Sequence, residues 1–118
     1  MENFKLIATA QIRPFKNKVK SFSQDDWDEF DFRQKSYKVH RNTETIPLIF
    51  DTDFRSDNPT YLDRSSLFKE EIDMCKKIFT KVYGPGLLVR AILVKLKANC
   101  SVDPHIDKGD SLKKCFRV

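Results

Sequence analysis

The triplet His105-Ile106-Asp107 is the arrangement in this sequence best suited to carry chemistry. Side chains two apart on an extended backbone project from one face, so an imidazole and a carboxylate can approach the same ion together. A second imidazole from a distant strand would complete a two-histidine, one-carboxylate facial set, which leaves three adjacent positions open on a divalent iron. The triplet alone also fits an exposed polar turn in which Asp107 bends the backbone.

Other polar residues read more simply. His40, the only other histidine, lies ahead of the main helix and reads as a structural residue on an early strand. Arg90 could face a substrate carboxylate, but among apolar neighbours it reads first as a salt-bridge or snorkelled surface position. Cys100 and Cys115 flank the triplet without zinc spacing, and with Cys75 they read as free thiols, odd in number and unpaired in pattern. Asp103, Asp107 and Asp110 could attract a hard cation, yet they lack the spacing and terminal glutamate of an EF-hand.

The elements that would position these groups follow from periodicity and punctuation. Phe4, Leu6, Ala8, Ala10 and Ile12 alternate with polar residues and predict a half-buried strand that Pro14 ends. Ser23 can cap a short helix or turn over 23–32, anchored by Trp27, Phe30 and Phe32. Residues 45–50 are apolar and β-prone, and Pro47, which has no backbone donor, predicts an edge or early strand. Turn-forming residues fill 51–65. Phe68, Ile72, Cys75, Phe79 and Val82 recur at helical spacing and predict the main helix over 66–83, closed by Gly84 and Pro85. Residues 87–98 are apolar on both faces at their start and predict a strand inside a covered sheet. A further extended stretch, 100–106, carries the triplet, and 115–118 begins another.

Composition sets the frame. The 118 residues suffice for one domain with a modest core, and 40% hydrophobic content with ten phenylalanines argues for a folded chain despite 33% charged residues. The net charge of +5 arises from 22 basic and 17 acidic residues that are interspersed along the chain. This pattern reads as a solvated surface rather than a basic stripe with exposed aromatics, so nucleic acid is not an expected partner. Residues 1–5 lack the features of a signal peptide, and no apolar run approaches the roughly 20 residues that span a bilayer. The expectation is a soluble, cytoplasmic protein with no membrane partner.

Three stretches, Arg90 to Ala98, Asp103 to Gly109 and Arg117-Val118, resemble the aspartyl/asparaginyl β-hydroxylase-like family of iron(II)- and 2-oxoglutarate-dependent oxygenases. Upstream, Tyr37 to Arg41 with Thr43, Ile46 and Leu48 is similar to the early strands of bacterial and phage-type members, so the likeness covers 36–118. It implies an α+β, β-rich fold: the N-terminal portion of a double-stranded β-helix, a cupin-like jelly roll, with one main packing helix. It also implies a dioxygenase that hydroxylates an amino-acid or peptide side chain, with His105 and Asp107 as iron(II) ligands and Arg117 holding a carboxylate of 2-oxoglutarate. The family's Arg-x-His element would place its histidine directly after Val118, and its distal iron-binding histidine and later arginine further on. Residues 1–118 are therefore expected to form one C-terminally incomplete oxygenase domain carrying part of the site. The alternative is a non-catalytic binding or assembly module that self-associates through exposed strand edges.

Overall fold

The computed structural model of the protein describes residues 5–106 and residue 115. The chain is α+β, and the described residues form a three-stranded antiparallel sheet and four helices: α1 (Arg13–Lys20), α2 (Gln24–Asp28), α3 (Phe32–Ser36), β1 (Thr43–Phe50), β2 (Thr60–Tyr61), α4 (Lys69–Tyr83) and β3 (Ala91–Leu96). Short 3-10 turns, Lys38–His40 and Asp63–Phe68, lead into β1 and α4.

The core forms around β1. Its β-branched Thr43, Thr45, Ile46 and Ile49, with Leu48 and Phe50, suit a pleated surface, and every residue of the strand except Glu44 is buried. Against Ile46, Leu48 and Ile49 pack Trp27, Phe68 and Ile72, with Phe15, Val19 and Phe22 partly buried around them. Phe22 stacks on Phe68 at 5.9 Å between centroids and meets Trp27 edge-on at 6.2 Å.

The sheet order β2-β1-β3 makes β1 the middle strand, not the edge strand that Pro47 predicts. The expectation overlooked that a missing donor costs something on only one side. The Lys97 N–H donates to the Asn42 carbonyl at 3.0 Å, and strict alternation from there turns position 47 away from β3. On that other side, β2 pairs only with Ile49 and Phe50. Pro47 therefore sits at a local edge within a central strand, next to a register shift between Pro47 and Ile49.

The strand predicted over 4–12 is not formed. Residues 5–12 have no regular structure and Leu6 is 80% exposed, because alternation without a partner strand has no hydrogen bonds to hold it. Pro14 instead lies in the first turn of α1, where its fixed φ favours helix and its missing N–H costs nothing. Phe15, Val19 and Phe22 then fall at helical spacing on the core side.

β3 also departs from expectation. It is an edge strand of this sheet, with Val94 and Leu96 about half exposed, and it is shorter than the predicted run. Its apolar pattern records the capacity for burial and not the number of neighbours. Residues 101–106 form no strand and are exposed.

Both helices expected from local signals are present. α4 begins at Lys69 after its 3-10 turn, buries Phe68 and Ile72, half-buries Cys75 and Phe79, and ends at Gly84 with φ +87°. Ser23 caps α2 reciprocally: its hydroxyl accepts from the Asp26 N–H at 3.3 Å while the Asp26 carboxylate accepts from the Ser23 N–H at 2.8 Å. Arg64 reinforces this end by donating to Asp26 at 2.9 Å. Ser23→Ala is expected to lower unfolding stability by about 1 kcal/mol, read from the urea midpoint, because it loosens the helix that carries buried Trp27.

Among the described residues no helix is long and apolar enough to cross a membrane.

Candidate metal site at the open end of the sheet

The β1–β3 pairing fixes what lies at its open end. Because Thr43 faces Leu96, the residues before β1 must run beside those after β3. Two hydrogen bonds fasten them, Lys97 N–H to the Asn42 carbonyl and the Asn42 side-chain amide to the Ser101 carbonyl at 3.2 Å, and Arg41 lies 3.7 Å from the Asp103 carboxylate in an exposed ion pair. The Thr43 hydroxyl also donates to the His40 carbonyl at 2.8 Å.

These links bring the chain's two histidines together. The His40 and His105 rings lie 5.9 Å apart, nearly perpendicular at 81°. His105 Nδ1 is 2.7 Å from the Asp103 carbonyl oxygen, which can only accept, so Nδ1 carries the proton of this contact. A metal-binding histidine is oriented in this way by a backbone carbonyl on its other nitrogen. At His40 the relation is reversed: Arg33 can only donate, so Nε2 of His40, 3.3 Å from its Nη2, is the acceptor.

Asp107 and Arg117, the other residues predicted for the site, lie outside the described residues. Among the described residues no group of three or more His, Cys, Asp or Glu side chains could hold a metal ion. Cys75, Cys100 and Cys115 are free and half-buried, and burial followed by the nearby Glu71 charge pushes the Cys75 thiol above its ordinary value. Such a thiol is a poor nucleophile at neutral pH.

Arg90 has a partner that periodicity could not name. Its Nε and Nη2 grip both carboxylate oxygens of fully buried Asp51, Nη2 at 3.0 Å, and its guanidinium lies over the Phe50 ring at 4.8 Å and the Phe54 ring at 5.7 Å. Asp51 also accepts from the Ser56 N–H at 2.8 Å, closing a loop in which Phe54 and Ser56 have φ near +60°. Burial raises the Asp51 pKa, but the bonds from Arg90 and Ser56 outweigh it and hold the carboxyl below its ordinary value. With both oxygens so engaged, Asp51 and Arg90 form a structural clamp on this loop rather than a proton-transfer pair.

Beside the open end, a cleft of about 250 Å³ is lined by Trp27, Phe30, Gln34, Arg41, Glu44 and Lys97 among others. Arg41 connects it through Asp103 to His105. Its volume falls just short of pockets that take whole small molecules, roughly 300–1,000 Å³, and suits a single side chain.

Comparison with known proteins found no matching family model, curated protein or solved structure.

Proposed function

We propose that the protein is an iron(II)- and 2-oxoglutarate-dependent dioxygenase that hydroxylates an amino-acid or peptide side chain. In this reading the observed sheet is part of a double-stranded β-helix, His105 and Asp107 bind iron, and Arg117 holds a carboxylate of the cosubstrate. The observation that supports the reading is the orientation of His105: its Nδ1 lies 2.7 Å from the Asp103 carbonyl, the backbone contact by which a metal-binding histidine is commonly oriented, and Nε2 would be the atom that meets the iron. The sequence around His105 supports it independently.

Bound there, iron(II) would use dioxygen as the oxidant to hydroxylate a C–H bond, one oxygen atom going to the substrate and the other to succinate as 2-oxoglutarate loses carbon dioxide. The protein's own groups do the rest. The Asp103 carbonyl orients the imidazole, and the fastened strand ends set the spacing between the two segments. The cleft lined by Trp27 and Phe30 would orient the substrate side chain.

The protein should convert 2-oxoglutarate to succinate only when iron(II) is present. Arg117→Met should raise the KM for 2-oxoglutarate about tenfold or more with a smaller change in kcat, since a charge-assisted carboxylate contact is lost. Iron-independent turnover, or an unchanged KM in that variant, would count against the reading.

A second reading, a non-catalytic assembly module, is favoured by one observation. Val94 and Leu96 are half exposed on edge strand β3, which has no strand on its outer side among the described residues. If this edge pairs with another copy, sedimentation will show a concentration-dependent dimer that Val94→Lys converts to monomer. A monomer at all concentrations removes this alternative.

A further inference from the structure

Over the whole sequence cations and anions are interspersed, but residues 30–41 carry four cations against one anion and contribute to a strip of aromatic rings. The rings touch in succession. Phe54 meets Phe32 at 5.9 Å between centroids, Phe32 meets Tyr37 at 6.4 Å, Tyr37 meets His40 at 6.0 Å, and His40 meets His105 at 5.9 Å. Three of these rings are substantially open to solvent: Phe32 is 42% exposed, Phe54 47% and Tyr37 52%. Single exposed apolar residues need no explanation, but contiguous exposed rings mark an interaction surface.

The strip is held rigidly. α3, which carries Phe32, is fastened to buried β1 by Arg33 donating to the Thr45 hydroxyl at 3.2 Å and by the Gln34 amide donating to Thr43 and Thr45 at 3.2 and 3.1 Å. Arg90 backs Phe54 from beneath.

Charge selects the class of ligand. From Phe30 to Arg41 the chain carries Arg33, Lys35, Lys38 and Arg41 against Asp31 alone, interleaved with Phe30, Phe32 and Tyr37. Lys35 pairs with Asp31 at 2.6 Å and Arg41 with Asp103 at 3.7 Å, but these are surface pairs of little net worth that a phosphate can replace. Around Phe54 the charges are mixed, with Asp53 and Asp57 on either side and Arg55 next to the ring in sequence.

We propose that the Phe54–Phe32–Tyr37 strip with its flanking cations is a binding platform for single-stranded nucleic acid. Bases stack on the exposed rings while Lys35, Lys38 and Arg41 meet the backbone phosphates. An acidic peptide would satisfy the cations and leave the rings uncovered. A duplex keeps its base faces stacked inside and cannot use them. The proposal goes beyond the oxygenase reading and does not depend on it, because binding is measured without iron or 2-oxoglutarate.

The test is fluorescence anisotropy with a labelled oligothymidylate of about 12 nucleotides, compared with a duplex of equal charge and with polyglutamate. The single strand should bind in preference to both competitors. Phe32→Ala and Tyr37→Ala should each weaken binding about tenfold at fixed salt. Phe32→Leu, which keeps the apolar bulk, should lose as much as Phe32→Ala. Lys38→Gln should make the slope of log affinity against log salt shallower by about 0.7. Thermal melts of each variant should match the parent, since these side chains are exposed. No binding to the single strand, equal binding of polyglutamate or duplex, or ring variants that bind as the parent does would each overturn the proposal.

Discussion

Asp51→Ala is expected to destabilise the fold by about 3 kcal/mol, measured as a shift in the urea unfolding midpoint at neutral pH. Asp51 is fully buried and binds Arg90 through both oxygens, so its loss breaks a buried pair and also strands the Ser56 N–H. Removing one partner of such a pair typically costs about 3–5 kcal/mol. The lower figure applies because the Arg90 side chain is 32% exposed and can recover water. Asp51→Asn should cost less, since an amide can keep one acceptor for the Ser56 N–H while losing the charge. The clamp also predicts a direction with pH. A carboxyl whose folded pKa is depressed contributes its full stability above the unfolded value, about 3.9, and loses it as pH falls through the folded value. The parent should therefore lose stability below about pH 4 more steeply than Asp51→Asn. An Asp51→Ala protein within about 0.5 kcal/mol of the parent would show that the loop does not depend on the clamp.

His105→Ala is expected to abolish succinate formation while changing stability by less than about 0.5 kcal/mol. The stability half follows from position: residues 101–106 are exposed and outside any strand, and none belongs to the core. The activity half follows from the proposed ligand role, because a facial set reduced to one carboxylate and one imidazole loses both affinity and geometry. Retained turnover with an unaltered fold would remove His105 from the mechanism.

How much of this was legible in the sequence depends on how local each signal is. α2 and α4 are written in neighbouring residues: the Ser23 cap, the spacing of Phe68 and Ile72, and the stop at Gly84. β1 and β3 were recognisable as strands, but their places in the sheet were not, because apolar runs do not state how many neighbours will cover them. α1 has no clear signature, because three lysines and an arginine mask the helical spacing of Phe15, Val19 and Phe22, and a proline such as Pro14 fits the end of a strand as well as the first turn of a helix. At the site, His105 stood out by its triplet, whereas the approach of His40 depends on the register Thr43–Leu96. The Asp51–Arg90 clamp joins residues 39 positions apart and has no local signature. The sequence predicts an early strand over Tyr37 to Arg41 with His40 on it. Its residues form instead a 3-10 turn leading into β1.

The most direct measurement is an anaerobic calorimetric titration of iron(II) into the protein, repeated on His105→Ala. The expected result is one iron per protein in the parent, 2-oxoglutarate binding only after the metal, and metal affinity at least about 100-fold weaker in the variant. Equal iron binding by the parent and His105→Ala, or 2-oxoglutarate binding that ignores the metal, would contradict the assignment of His105 as an iron ligand in a 2-oxoglutarate-dependent oxygenase.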